Sequence, residues 1–188
     1  MESTELRELV VTAADRLYYG LGVQAVGMDD LRAETGLSLK RLYGMFPSKE
    51  AIVLAVLAKR GETWNAGIAA AAARVEGPRE KLLAIYDFLA QWFTADDYRG
   101  CGFINSFGEL GATVPAVAEA AREQKASFQR YVDELVREAG APEYLAPQLA
   151  LLAEGAQTTA AIAGTPEAAI HARAAAVTLI DAAMRPAR

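Results

Sequence analysis

Lys40, Arg41, Tyr43 and Lys49 can each meet an anion, and all four fall in one short stretch, "TGLSLKRLYGMFPSKE", residues 35–50. The only acid in that stretch is Glu50, its last residue. An arginine can read a guanine edge through two parallel bonds, and a lysine or a phenol suits a phosphate oxygen. Gly44 has no side chain and lets a backbone approach closely. The N–H groups at the start of a helix after Ser48, with Lys49 beside them, are a ready anion site. This is the chemistry of holding a polyanion rather than of making bonds.

Bond-making chemistry finds little to work with. The chain has one histidine and one cysteine, and it lacks a Gly-rich phosphate loop and metal-ligand spacing, so no metal, cofactor or catalytic residue is expected. A single cysteine also excludes an internal disulfide framework and fits a reducing, cytoplasmic setting. The start, "MESTELRELV", has no basic region followed by an apolar one, and charges or prolines break every apolar run, so neither a secretory signal nor a membrane span is expected. The net charge is −5. Residues 1–60 are balanced and the remainder carries the whole excess, which argues against non-specific coating of nucleic acid but leaves room for a local basic face.

The elements that must position the basic stretch read as helices throughout, with no alternating strand pattern. Leu6, Leu9, Val10, Ala13, Ala14, Leu17 and Leu21 give one apolar stripe over a first helix from about Thr4 to Tyr19, capped by Ser3 or Thr4. A short second helix starts near Met28 and ends at Gly36. A third takes Ser38 as N-cap and must stop before Pro47. A fourth starts after Ser48 and runs toward Gly77-Pro78. Longer helices follow over about 78–94, 103–110, 115–139, 142–163 and 166–184, with Thr165 as a cap and Pro166 at the first helical position of the last. The expected class is all-α with about nine helices.

Helix two, the turn "TGLS" and helix three have the layout of a helix-turn-helix, in which the second helix enters the DNA major groove. Leu31, Leu37, Leu42 and Phe46 are spaced to face inward, leaving Lys40, Arg41, Tyr43 and Gly44 outward. Spacing alone also fits a plain helical hairpin with a solvated basic face. The stretch from Leu9 to Leu57 resembles the DNA-binding module of the TetR family of bacterial transcription regulators, on Ala13, Ala14, Leu17, Tyr18, Gly20, Gly22, Met28-Asp29-Asp30-Leu31, Gly36-Leu37-Ser38, Leu42-Tyr43, Phe46 and Ser48-Lys49-Glu50-Ala51-Ile52.

That resemblance implies a DNA-binding domain over residues 1–47 and a helical effector-binding and dimerisation domain over 48–188. It implies that Tyr43 and Lys49 hold phosphates and that Ser38, Leu39, Lys40 and Arg41 stand where the groove is read. The family commonly has Thr or Ser just before helix two; here Val26 and Gly27 leave only a backbone donor at Gly27 and Met28. The function implied is a repressor that binds a palindromic duplex operator as a homodimer and is released by a small-molecule effector. The alternative is a helical ligand-binding or adaptor protein with weak or lost DNA binding.

For the second domain the expected effector is apolar or aromatic, held by Trp64, Tyr86, Trp92, Phe103, Phe107, Phe128 and Tyr131 and oriented by Asn105 and Gln157. Two alanine-rich stripes, Leu145, Leu149, Leu152, Ala156 and Ala160, then Ile170, Ala174, Val177 and Ile180, are expected to pair two copies of the chain, although such stripes also suit an intramolecular core. Cys101, between two glycines and near Arg99, reads as a redox-sensitive thiol or as a small buried residue; His171 reads as surface or interface.

Overall fold

The computed structural model describes residues 3–184. Among these it has nine helices and no strand: α1 (Ser3–Leu21), α2 (Met28–Thr35), α3 (Leu39–Met45), α4 (Lys49–Ala72), α5 (Pro78–Trp92), α6 (Gly102–Leu110), α7 (Pro115–Glu138), α8 (Leu145–Ala163) and α9 (Glu167–Ala183). The all-α class expected from the sequence is the one observed.

Local chemistry sets most boundaries. Gly36 ends α2 at φ +69°, its N–H donating to the Arg32 carbonyl. Ser38 caps α3, its Oγ accepting from the Arg41 amide at 3.3 Å. Phe46 leaves α3 in an extended conformation, as a residue before proline must. Ser48 Oγ accepts from the Ala51 amide at 3.2 Å and caps α4. Three ends differ from expectation. Ser3 and Thr4 lie inside α1 rather than capping it. Pro142 opens a turn, its carbonyl accepting from Leu145, and α8 starts only there. Pro166 is itself the N-cap of α9, and Thr165 supplies no side-chain cap.

The chain forms two compact units: residues 1–62 with 102–123, and residues 63–101 with 124–188. In the first, Val10, Ala14, Leu31, Leu42, Phe46, Ile52 and Val53 are buried. Tyr18 joins them, whereas Leu9 and Leu21 of the expected α1 stripe are exposed.

The second unit holds the larger apolar core. Trp64 meets Phe88, Trp92 and Phe128 edge-on at centroid distances of 5.5, 5.6 and 5.5 Å. Tyr86 donates its hydroxyl to the Leu149 carbonyl at 2.8 Å, and Tyr98 to that of Gln157 at 2.7 Å. Leu145, Leu149, Ala156, Ala160 and Ile180, expected on the pairing surface, are buried within their own chain and serve as core. Ile170 and Ala174 are exposed, and Leu152 and Val177 are half-buried. The outward large apolar residues of α8 are instead Leu151 and Ile162, 74% and 84% exposed.

Gly67 lets Phe88 reach its place beside Trp64: a Cβ at position 67 would lie 2.3 Å from Phe88 Cε2. Gly67→Ala gains helix propensity but must expel that ring from two aromatic contacts. Overpacking is expected to win, lowering unfolding free energy by about 1–3 kcal/mol in urea titrations, with α-helical circular dichroism retained.

Candidate nucleic-acid interface

Helix α3 has only seven residues, and its outward face is defined by what it buries. Leu42 and Phe46, one helical turn apart, are 0% and 1% exposed. Lys40, Arg41, Tyr43 and Gly44 are thereby turned to solvent, with Tyr43 49% exposed, and Leu39 is half-buried. No ion pair engages Lys40 or Arg41 among the described residues. Two polar devices hold the helix beyond its apolar contacts. The Ser38 cap fixes its start. At its end the Arg7 guanidinium of α1 donates to the Met45 carbonyl and lies 4.1 Å over the Phe46 ring.

Helix α2 is held by Arg16 of α1, which pairs with Glu34. Its own start is less open than the sequence suggests. The Gly27 amide, expected as a donor, already donates to Asp30 Oδ2 at 2.7 Å, so that N–H is spent inside the helix. Met28 follows as the first helical residue.

At the start of α4, Lys49 is half-buried with its Nζ 5.9 Å from the centroid of the Tyr18 ring. Glu50 beside it is held below the usual carboxylate range, first by the Ser48 hydroxyl that donates to it, then by its own backbone amide, with Lys49 adding to the effect. The Tyr18 phenol is pushed up by burial and, secondarily, by Glu50, so it stays protonated, and its hydroxyl has no hydrogen-bond partner among the described residues.

Three residues that tie this region together escaped the sequence reading. Arg7 is one. Arg60 of α4 pairs with Asp15 of α1, and its guanidinium carbon lies 3.6 Å from the Tyr19 ring centroid. Glu109 of α6 accepts from the amides of Val23 and Gln24, in the turn between α1 and α2. Each partner lies tens of residues away in sequence, and neither periodicity nor motif spacing carries a signal at that range.

The expected pocket residues divide between the units. Phe103, Asn105 and Phe107 belong to the first; Trp64, Tyr86, Trp92, Phe128, Tyr131 and Gln157 belong to the second. Phe107 and Asn105 are exposed; in the second unit Trp64 packs on Trp92 and Phe128, while Tyr131 lines a groove. Gln157 is 1% exposed and its Oε1 has no hydrogen-bond partner among the described residues. Cys101 is buried, with Lys125 Nζ 3.5 Å from its Sγ. No helix among the described residues is long and apolar enough to cross a membrane.

Comparison with known proteins agrees with this geometry. Residues 10–56 match the model of the family described as bacterial regulatory proteins, tetR family. No curated protein matches the chain. Among solved structures, a TetR-family transcriptional regulator from Streptomyces coelicolor superposes with a TM-score of 0.90 at 22% identity, over 97% of each chain. A tetR transcriptional regulator from Streptomyces avermitilis is 28% identical with a TM-score of 0.80, over 95% of this chain and 97% of its own. A transcriptional regulator from Saccharomonospora viridis, solved in complex with choline, has a TM-score of 0.79 at 19% identity, over 95% of this chain and 96% of its own. The chain thus carries the tetR-family helix-turn-helix over residues 10–56 and has the fold of TetR-family transcriptional regulators over nearly its whole length.

Proposed function

We propose that the protein is a cytoplasmic repressor that grips a palindromic duplex operator as a homodimer and lets go when a small molecule binds. The observation that carries DNA reading is the face of α3: Lys40, Arg41 and Tyr43 exposed on a helix whose opposite side is fully buried. Residues 1–47 are the reading domain, and residues 48–188 the effector-binding and dimerisation domain. Arg41 and Lys40 reach base edges with Ser38 and Leu39 beside them. Tyr43 and Lys49 hold phosphates, Gly44 allows close approach, and the start of α2 at Met28 adds a backbone donor.

Two copies pair through the outer face of α8 and α9. Leu151, Ile162 and Ile170 stand out from it, and the groove between the two helices is lined by Leu152, Gly155, Ala156, Ala172, Ala175 and Leu179. Small side chains there let a facing helix approach closely, and a two-fold axis makes the same face serve both partners. Pairing places two α3 helices at about 34–36 Å, one turn of B-form DNA.

The effector acts in the second unit. A groove of about 370 Å³ is lined by Ala69, Ala72, Tyr131 and Leu135, with Lys81, Glu134 and Glu138 among its polar groups. An apolar or aromatic molecule suits its walls. The choline held by the Saccharomonospora viridis neighbour supports small-molecule binding on this fold. For release to follow, the effector must bind the two arrangements of the dimer unequally.

DNA reading is tested on operators selected by the intact protein from a randomised duplex library. Arg41→Ala is expected to cost about 1–3 kcal/mol and relax preference at one base pair per half-site. Lys49→Ala is expected to weaken all sequences alike and to lower the salt slope by about one. Failure of the wild type to enrich any duplex at moderate salt would refute the reading and favour an adaptor. Pairing is tested separately: Leu151→Glu with Ile162→Glu should turn a dimeric mass by light scattering into a monomeric one and abolish the palindromic footprint. A wild-type monomer at micromolar concentration would exclude the dimer.

A further inference from the structure

Glu109 sits in the last turn of α6, where the negative end of the helix dipole disfavours a carboxylate. Its position is explained by what it holds. Its Oε1 accepts from the Val23 amide at 3.0 Å and its Oε2 from the Gln24 amide at 2.8 Å. The Gln24 side chain returns a third bond to the Glu109 carbonyl. These bonds join residues 85 and 86 positions apart. Gly22 makes room for the carboxylate: it turns the chain at φ +92°, and a Cβ there would lie 3.2 Å from Glu109 Oε2.

Among the described residues the turn's other backbone bonds lie at its edges or are long: the Gly22 amide donates to the Tyr18 carbonyl at 3.0 Å, the Gly27 amide to Asp30 Oδ2 at 2.7 Å, and the Val26 amide to the Val23 carbonyl at 3.4 Å. Val23 and Val26 are buried, so an amide at Val23 without its acceptor is costly. From this turn the chain enters α2, and Leu31 of α2 and Leu42 of α3 share the buried core of the reading unit. The other end of α6 is fixed as closely. Gly102 fits beneath the Arg60 stem, where a Cβ would meet Cδ at 2.8 Å, and Arg60 grips Asp15 of α1. Helix α6 is thus a strut anchored at one end to α4 and α1 and at the other, through Glu109, to the turn that carries α2.

We propose that Glu109 is a positioning residue for DNA reading: its carboxylate holds the turn between α1 and α2 on α6 and so fixes the placement of the reading helices. The inference rests on the DNA-reading function proposed above. Electrostatics makes its sign distinctive. Removing one negative charge from a DNA-binding unit should tighten binding through the phosphate field; loss of the latch should weaken it.

The test uses the full chain and a duplex selected by the wild type from a randomised library. Glu109→Ala is expected to weaken specific binding about tenfold, and Glu109→Gln, which keeps one acceptor, about threefold. Glu119→Ala, which removes a charge elsewhere in the same unit, should leave binding unchanged or tighter. Amide hydrogen exchange gives the readout that general destabilisation does not: Val23 and Gln24 should exchange faster in Glu109→Ala while Leu31 and Leu42 stay protected. Wild-type affinity, tighter binding, or unaltered exchange at Val23 and Gln24 would overturn the proposal. Should Glu109→Ala lose protection at Leu31 and Leu42 as well, Glu109→Gln decides by the same two criteria. If the wild type enriches no duplex, DNA reading itself fails and this inference falls with it, an outcome distinct from equal binding by wild type and variant.

Discussion

A helix of seven residues has no stability of its own in water; isolated helices below about 12–15 residues are marginal even in favourable sequences. Helix α3 exists because Leu42 and Phe46 are driven out of water on one side, and because both ends are satisfied. Ser38 supplies the acceptor its first turn lacks. Arg7 reaches from α1 to the carbonyl at Met45 and covers the Phe46 ring. On the proposed function, DNA reading depends on this borrowed rigidity. Lys40, Arg41 and Tyr43 are exposed, which leaves them available for contacts elsewhere.

The same economy governs charge. The first 60 residues are neutral overall, yet their acids are largely engaged. Asp15 faces Arg60, Glu34 faces Arg16, Asp29 faces Arg32, Asp30 caps the Gly27 amide, and Glu50 takes the Ser48 hydroxyl. Exposed pairs of this kind add little stability. The ion pairs of Asp15, Glu34 and Asp29 cancel charge locally, whereas Asp30 and Glu50 bond neutral donors; Lys40 and Arg41 are in no ion pair among the described residues. On the proposed function, an acidic remainder would suppress indiscriminate attraction to phosphate and leave affinity to the short α3 face.

What the sequence disclosed follows from range. Helix punctuation at Gly36, Ser38, Pro47 and Ser48 is decided within four residues, and the structure places each break where local chemistry puts it. The inward set is equally local in origin: Leu31, Leu42 and Phe46 are buried, and Leu37 only half-buried. The failures lie elsewhere. Helix α8 carries two apolar stripes, one through Leu145, Leu149, Ala156 and Ala160 and one through Leu151, Gly155 and Ile162. Periodicity points to the first, with Leu152, as a pairing stripe but cannot tell which stripe its own chain will cover; the first is core, and Leu151 and Ile162 of the second are exposed. Of the aromatic set, Trp64, Trp92 and Phe128 fill space against one another whereas Tyr131 lines a groove, and composition does not distinguish the two. Glu109 was invisible because its acceptors find their donors across 85 residues of chain.

The filled aromatic cluster has a consequence for regulation. Trp64 already spends its faces and edges on Phe88, Trp92 and Phe128, and Gly67 shows how little slack surrounds them. A molecule entering this core must therefore exchange ring–ring contacts for ring–ligand contacts rather than settle into open space. Close-packed interiors do not deform smoothly; they move between discrete arrangements. An effector in the proposed groove beside Tyr131 and Leu135 that fits only one such arrangement would meet the condition for coupling, unequal affinity for two states.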